Sequence, residues 1–191
     1  MHEFNVRCCH VMANKALFLD RDGVINYDTN YLHKIDEFHF LPGIFDSLKY
    51  IQNLGYLLIV VTNQSGIGRG IYTEEEFLLL DQWMHEQFRR QGVFLTKTYY
   101  CPHHPVEAKG KYLVTCDCRK PKPGMILAAS DEYGIDLSKS ILVGDKPTDY
   151  QAARVAGIAR IFGFAEERDG DDCAPDLLFD KWEVIPKLIR T

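Results

Sequence analysis

The chain has 191 residues, of which 46% are hydrophobic and 26% charged, and its formal net charge is −5. This length favours one domain with a core that is stable without disulfide cross-links. No segment approaches the roughly 20 consecutive apolar residues of a membrane span. The acidic balance argues against a broad basic surface for nucleic acid. We therefore expect no membrane and no nucleic-acid partner, and we predict a monomer.

The first dozen residues contain no apolar stretch and so do not form a secretory signal. We predict a flexible tail over residues 1–13, followed by a single domain over residues 14–191. The cytoplasm is then the expected location, and there cysteines serve as free thiols or metal ligands more often than in disulfides. Among the six cysteines, Cys8, Cys9 and Cys173 are interpreted as non-ligands, together with His10.

Predicted strands and helices alternate along the chain. A capping-box pattern at Thr73 and Glu76 marks the start of a long helix, and Gly55, Gly134 and Gly157 mark helix ends. The predicted strands are 16–19, 56–61, 93–100, 140–143, 158–162 and 176–179, and the predicted helices begin near 44, 74, 125, 147 and 184. This alternation predicts an α/β fold, a Rossmann-like three-layer parallel sheet with helices on both faces.

The most informative motif is Asp20-Arg21-Asp22-Gly23, which follows the apolar strand Ala16-Leu17-Phe18-Leu19. Ligands of open α/β sheets bind outside the carboxyl ends of the strands. On an extended strand, positions i and i+2 point the same way, so both acids could reach one phosphate. A solvated Asp-Gly turn is the alternative interpretation.

Three other predicted loops carry polar groups. Residues 62–66 (Thr-Asn-Gln-Ser-Gly) follow the second strand, Asp145 follows a later strand, and residues 119–124 (Arg-Lys-Pro-Lys-Pro-Gly) precede a helix. Taken singly, each motif also fits a polar turn, a helix N-cap or a solvated basic loop. Their order along the chain resembles the haloacid dehalogenase superfamily, from about Lys15 to the C-terminus.

Residues 101–123 do not fit the alternation of strands and helices, and their first part contains a cluster of soft metal ligands. Cys101, His103, Cys116 and Cys118 make a Cys₃His set, which suits structural Zn²⁺. His104 is the alternative fourth ligand, and a set of buried free thiols is the alternative interpretation. We predict a zinc-binding loop over residues 101–118.

Within the superfamily, the chain resembles the D-glycero-D-manno-heptose-1,7-bisphosphate 7-phosphatases. The likeness rests on residues 18–23 (FLDRDG), 61–67 (VTNQSGI), 99–105 (YYCPHHP), 116–121 (CDCRKP) and 143–146 (VGDK). The histidinol-phosphate phosphatases share most of these motifs. The resemblance implies a Mg²⁺-dependent phosphatase that removes the C7 phosphate of the heptose bisphosphate, in the synthesis of the ADP-heptose precursor of the lipopolysaccharide core. Alternatives are a histidinol-phosphate phosphatase and a catalytically inactive, zinc-stabilised binding module.

The resemblance also implies a role for each motif residue. Asp20 is the expected nucleophile, and Asp22 is the expected general acid and base. Mg²⁺ is expected on Asp20, on Asp145 and on the backbone carbonyl of Asp22. Thr62 and Lys120 are expected to hold phosphoryl oxygens, and Asp149 to position Lys120 or Lys146.

The expected substrate contacts come from the loop after the first motif, from the second motif and from two cations. They are Asp28, Thr29, Asn30, Tyr31, Asn63, Gln64, Ser65, Arg119 and Lys146. The segments that follow the first two motifs are too short for a large cap domain. We expect the zinc loop to form a wall of the pocket, and Arg119 to bind the second phosphate of a phosphorylated sugar.

Overall fold

The computed structural model describes residues 13–164 and 174–190. Its strands are β1 (Lys15–Leu19), β2 (Tyr56–Asn63), β3 (Leu95–Cys101), β4 (Ile141–Gly144), β5 (Arg160–Phe164) and β6 (Leu177–Phe179). Its helices are α1 (Ile44–Asn53), α2 (Ser65–Arg69), α3 (Glu74–Arg90), α4 (Gly124–Tyr133), α5 (Pro147–Ala156) and α6 (Ile185–Arg190). In this part of the chain, all six strands run parallel in one sheet with the order β3-β2-β1-β4-β5-β6.

Strand β1 lies inside the sheet and is buried on both faces. Leu17 and Leu19 pack with α1, α3 and α6, whereas Ala16 and Phe18 pack with α4 and α5. All four side chains are fully buried. Helices therefore cover both faces of a parallel sheet, which explains the unbroken apolar run and confirms the predicted fold class.

The position of β1 also determines where a site can form. Its neighbours are β2 on one side and β4 on the other, so the direction of the chain connections reverses at β1. A crevice forms at the carboxyl end of the strands where this reversal occurs. The backbone N–H of Asp20 donates to the carbonyl of Val143 at 3.0 Å, so the tips of β1 and β4 lie side by side.

The predicted helix signals are confirmed. The Thr73 backbone N–H donates to Glu76 Oε2 at 2.7 Å, and the Glu76 N–H donates to Thr73 Oγ1 at 3.1 Å, which completes the capping box of α3. Helix α5 has Pro147 in its first turn and ends at Gly157, which adopts φ of 86°. Glycine adopts this left-handed conformation without a Cβ clash.

Some predicted boundaries are wrong. Strand β5 begins two residues later than predicted, because the N–H groups of Gly157 and Ile158 cap α5 and so cannot join the sheet. Residues 62–66 were expected to follow the second strand, but Thr62 and Asn63 belong to β2, and Ser65 begins the short helix α2, whose Gly66, Ile67 and Gly68 are buried. The closing helix begins at Ile185 and not at residue 184, because a 3₁₀ turn over Trp182–Val184 precedes it.

The two acids of the first motif do not share one face of an extended strand. Strand β1 ends at Leu19, and Asp22 forms a bridge with Asn26 in a tight turn. The N–H of Gly23 donates to the Asn26 carbonyl at 2.8 Å. This turn, and not strand periodicity, determines the direction of the Asp22 side chain.

Residues 1–12 lie outside the described residues, and with them nearly all of the predicted tail and Cys8, Cys9 and His10. Cys173 also lies outside them. No helix of the described ranges combines the length and apolar character needed to cross a bilayer. The predicted domain boundary at residue 14 stays a prediction.

Candidate active site

The predicted nucleophile forms a buried ion pair with the predicted phosphate-binding lysine. Lys120 Nζ lies 2.9 Å from Asp20 Oδ1 and 2.6 Å from Asp149 Oδ1, and it donates to the carbonyl of Val61 at 2.8 Å. Asp20, Lys120 and Asp149 are 6%, 3% and 1% exposed. The tips of β1 and β2, helix α5 and the loop before α4 thus bring their polar groups to one point.

Asp149 has both carboxylate oxygens in contact with protein donors. Besides its contact with Lys120, Asp149 Oδ2 accepts the backbone N–H groups of Asp145 at 3.2 Å and Lys146 at 3.1 Å. This geometry fits the expected positioning of Lys120. Asp149 contacts Lys146 only at its backbone N–H, so a role in positioning the Lys146 side chain stays a prediction.

Burial and mutual charge shift the pKa values of the acidic cluster and of Lys120. Burial raises the pKa of Asp20 to about 6, although the attraction of Lys120 opposes the rise. Burial, together with the charges of Asp20 and Asp149, raises the pKa of Asp145 to about 8. Burial lowers the pKa of Lys120, but Asp149 and Asp20 outweigh it and the net shift is upward. Three carboxylates, those of Asp20, Asp145 and Asp149, thus lie close together beside the ammonium group of Lys120.

The same residues fit a divalent cation. One carboxylate oxygen each from Asp20, Asp145 and Asp149 lie within 4.8 Å of one another. Within the described chain, Asp145 Oδ1 is buried with no hydrogen-bond partner. A Cβ at Gly23 would lie 2.3 Å from Asp145 Oδ2, so only glycine lets this acid approach the first motif. Carboxylate oxygens with unused lone pairs suit Mg²⁺.

Asp22 belongs to a different part of the site. Its Oδ1 accepts Arg21 Nε at 3.1 Å and Asn26 Nδ2 at 3.0 Å, and its Oδ2 accepts Gln64 Nε2 at 3.1 Å. The Asp22 side chain is not part of the acidic cluster formed by Asp20, Asp145 and Asp149. The expected contact between the Asp22 carbonyl and Mg²⁺ stays a prediction.

The second motif connects the site to the loop before α4. Asn63 Nδ2 donates to the Lys120 carbonyl at 3.1 Å, and the Lys120 N–H donates to Asn63 Oδ1 at 3.0 Å. Thr62, 1% exposed, accepts Gln64 Nε2 on its Oγ1 at 2.9 Å. Asn63 thus holds Lys120 in place through its backbone, besides its predicted role in substrate binding.

An open cavity of about 200 Å³ adjoins Asp22 and collects most of the predicted substrate contacts. Lys146 crosses its rim and donates to Asp28 Oδ2 at 2.9 Å. Asn30 and Tyr31 adopt left-handed φ angles of 59° and 53°. The predicted residues that line the cavity are Asp22, Asp28, Asn30, Tyr31, Asn63, Gln64, Ser65 and Lys146.

Two predicted contacts, Thr29 and Arg119, are absent from this lining. The Arg119 guanidinium donates to the carbonyl of His103 at 3.2 Å and lines a separate cavity of about 230 Å³ beside the cysteine loop. The cysteine loop therefore determines the position of Arg119. Its expected contact with a second phosphate stays a prediction.

The predicted zinc ligands form a compact tetrad. Cys118 Sγ lies 3.1 Å from Cys116 Sγ and 3.2 Å from Cys101 Sγ, and His103 Nδ1 lies 3.3 Å from Cys118 Sγ. Tetrahedral Zn–S bonds of about 2.3 Å place ligand atoms roughly 3.5–3.8 Å apart, close to these values. His104 is committed elsewhere, because its Nδ1 accepts the backbone N–H groups of residues 106 and 107.

Sequence reasoning missed two buried side chains of the site. Asn26 is fully buried and contacts Asp22, and Tyr72 is 5% exposed and donates to Gln64 Oε1 at 2.5 Å. Neither stands in a motif with a chemical signature. Asn26 follows the first motif by three residues, so its contact with Asp22 could have been predicted from local sequence, whereas that of Tyr72 could not.

The acids at the crevice, the buried lysine and the second-strand threonine form the arrangement expected of a haloacid-dehalogenase-like hydrolase. The HAD-hydrolase-like family model matches residues 117–180. A D-glycero-beta-D-manno-heptose-1,7-bisphosphate 7-phosphatase of Vibrio cholerae is 52% identical over 77% of this chain and 79% of its own. This chain belongs to the family of the D-glycero-D-manno-heptose-1,7-bisphosphate 7-phosphatases.

Two further relatives extend the comparison. The D-glycero-alpha-D-manno-heptose-1,7-bisphosphate 7-phosphatase of Burkholderia mallei is also 52% identical, over 77% of this chain and 78% of its own. A crystal structure of the D,D-heptose 1,7-bisphosphate phosphatase of B. bronchiseptica, in complex with magnesium and phosphate, superposes with a TM-score of 0.75. It is 26% identical and covers 92% of this chain and 98% of its own.

Proposed function

We propose that this protein is a Mg²⁺-dependent phosphatase that removes the C7 phosphate of D-glycero-D-manno-heptose 1,7-bisphosphate. The observation that carries the proposal is the buried cluster of Asp20, Lys120 and Asp149 beside Asp145. Relatives with 52% sequence identity are named for that activity, and a related crystal structure contains magnesium and phosphate. The product would enter the synthesis of the lipopolysaccharide-core precursor.

In the proposed reaction, Asp20 attacks phosphorus and forms an aspartyl-phosphate while the sugar oxygen leaves. Asp22 gives its proton to that oxygen and then takes a proton from the hydrolytic water. Lys120 and Thr62 hold the phosphoryl oxygens and stabilise the charge that develops on them. Asp149 keeps Lys120 at this position.

Mg²⁺ would lie on Asp20, Asp145 and the Asp22 carbonyl, and when bound it neutralises the charge between nucleophile and phosphate. The carboxylate oxygens of Asp20, Asp145 and Asp149, which lie within 4.8 Å of one another, support this site. Lys146, Asn30 and Ser65 line the adjacent open cavity and are the proposed contacts of the sugar and its second phosphate. No cap domain divides the motifs within the described ranges, so the pocket stays open.

A panel of phosphate esters tests the proposal. With Mg²⁺, we expect kcat/KM for the heptose 1,7-bisphosphate to exceed that for histidinol phosphate by at least about tenfold, since Lys146 in the cavity lining offers a charged partner to a second phosphate. Phosphate release should be followed for both anomers, and the product should be the 1-phosphate. Faster release from histidinol phosphate, or loss of the C1 phosphate, would contradict the assignment.

We also propose that the Cys₃His tetrad binds a structural Zn²⁺. Cys118 stands two residues before Lys120, so a metal here would hold the loop that carries the phosphate-binding lysine. Metal analysis of purified protein should find about one zinc per chain.

Two neighbouring histidines provide a matched test of the ligand set. His103→Ala should remove most of the zinc, whereas His104→Ala should retain it, because the His104 ring contacts backbone N–H groups and not the thiols. Equal zinc content in both variants would refute the tetrad. The cytoplasmic location and the monomeric state stay predictions.

A further inference from the structure

Gln64 was expected to bind substrate, but its amide is used inside the protein. Its Nε2 donates to Asp22 Oδ2 at 3.1 Å and to Thr62 Oγ1 at 2.9 Å, and the side chain is nearly fully buried. A carboxylate accepts hydrogen bonds and cannot donate them, so only the NH₂ side of the amide can face Asp22. One amide therefore joins the proposed general acid to the proposed phosphate-binding threonine.

Tyr72 favours the same orientation of this amide as Asp22 does. Its hydroxyl donates to Gln64 Oε1 at 2.5 Å, and a flipped amide would present NH₂ to Tyr72 and the carbonyl oxygen to the Asp22 carboxylate. Burial raises the pKa of Tyr72 above its ordinary value, so its hydroxyl keeps the proton that it donates. Asp22 and Gln64 both line the cavity, and so does Tyr72.

The Tyr72 ring is itself held in place by packing. A Cβ at Gly66 would lie 2.2 Å from the Tyr72 ring, so a glycine is needed for the ring to approach α2 this closely. The imidazole of His33 stacks on the Tyr72 ring, with centroids 5.0 Å apart and planes within 8°. A Tyr72→Phe change would thus remove the hydroxyl and leave the ring in its packed position.

We propose that Tyr72 and Gln64 are positioning residues that orient the Asp22 carboxylate for proton transfer to the leaving group, and we call this hydrogen-bonded pair the positioning relay. This inference rests on the proposed function, because it assigns to Asp22 the role of general acid. It predicts an effect that depends on the leaving group. An alkoxide from a sugar needs a proton as it departs, whereas p-nitrophenolate departs without one.

The test compares kcat/KM for two esters, since this parameter reports the steps up to departure of the leaving group. Tyr72→Phe should lower kcat/KM for the heptose bisphosphate by about three- to tenfold, as expected for one lost orienting hydrogen bond. The kcat/KM for p-nitrophenyl phosphate should change by less than about twofold. Equal losses for both esters, or no loss for either, would overturn the proposal.

A control variant and a double variant separate positioning from a general structural effect. Tyr100 packs in the same aromatic cluster as Tyr72, but its hydroxyl donates to Glu74 at 2.8 Å and not toward Asp22. Tyr100→Phe should therefore leave kcat/KM for both esters unchanged. Gln64→Leu should reproduce the leaving-group dependence, and adding Tyr72→Phe should cause no further loss, because both act through one amide. Additive losses would overturn the relay.

The wild-type assay separates failure of the relay from failure of the proposed function. A wild type that is inactive on both esters with Mg²⁺ present would overturn the phosphatase assignment and the relay with it. An active wild type with an unselective Tyr72→Phe variant would overturn only the relay. Thermal unfolding of each variant establishes that the comparison is made between folded proteins.

Discussion

Replacing Asp20 by Asn is expected to lower phosphate release by about 10³-fold or more, because the amide cannot form the acyl phosphate that the proposed mechanism requires. The fold should survive, since Asp149 remains as a partner of Lys120. The measurement is initial-rate phosphate release at saturating Mg²⁺, with trapping of phosphorylated protein by acid quench. The wild type should yield an acid-stable phosphorylated species, and Asp20→Asn should not.

The matched control is Asp46→Asn, an exposed aspartate in the first turn of α1. It should retain wild-type turnover, because it lies outside the acidic cluster. Turnover by Asp20→Asn within about tenfold of the wild type would exclude this residue as the nucleophile. Loss of activity in both variants would point to a general effect of removing acidic charge.

Removing the ammonium group of Lys120 is expected to affect both catalysis and stability. Lys120→Met keeps much of the side-chain volume but leaves Asp20 and Asp149 buried without their counter-ion. Breaking a buried ion pair on one side costs about 3–5 kcal/mol of unfolding free energy. We expect a loss of that order in denaturant unfolding, together with a fall in kcat of about 10²- to 10³-fold from lost stabilisation of the phosphoryl oxygens.

Lys122→Met is the control for this prediction. Lys122 is two residues away in the same basic loop, and its ammonium group forms an exposed pair with Asp117 at 2.9 Å. Exposed pairs contribute roughly 0–1 kcal/mol, so stability and turnover should stay near wild type. Similar effects of the two changes would mean that the loop's total charge matters, and not the buried contact of Lys120.

The edge of the sheet at which the polar motifs lie could be predicted, because their places relative to strands and helices depend on local sequence. Each motif follows an apolar run or precedes a helix, and the carboxyl ends of parallel strands meet at one edge. The candidate zinc ligands could also be predicted, because cysteine and histidine are the usual soft ligands and four of them lie at the two ends of one loop. His103 could be favoured over His104, but only the packing of the loop turned the His104 ring toward backbone N–H groups.

The contacts of individual side chains could not be predicted in this way. Asp22 was expected to share a face with Asp20, but the chain leaves the strand at Leu19 and turns Asp22 toward Gln64. Arg119 was expected at the pocket, and it contacts the His103 carbonyl. In each case a tight turn or a distant backbone group determines the direction of the side chain.

The sequence by itself determined the parallel sheet, the edge at which the acids and cations meet and the Cys₃His set, because periodicity, helix caps and ligand types act over a few residues. The tertiary structure alone decided which of the two lysine side chains Asp149 contacts, that Asp145 fits against Gly23 and that Tyr72 donates to Gln64. Those contacts depend on packing between elements that are distant along the chain, where small differences in backbone position select one hydrogen-bond partner among several. Local sequence patterns therefore do not predict which partner each side chain contacts.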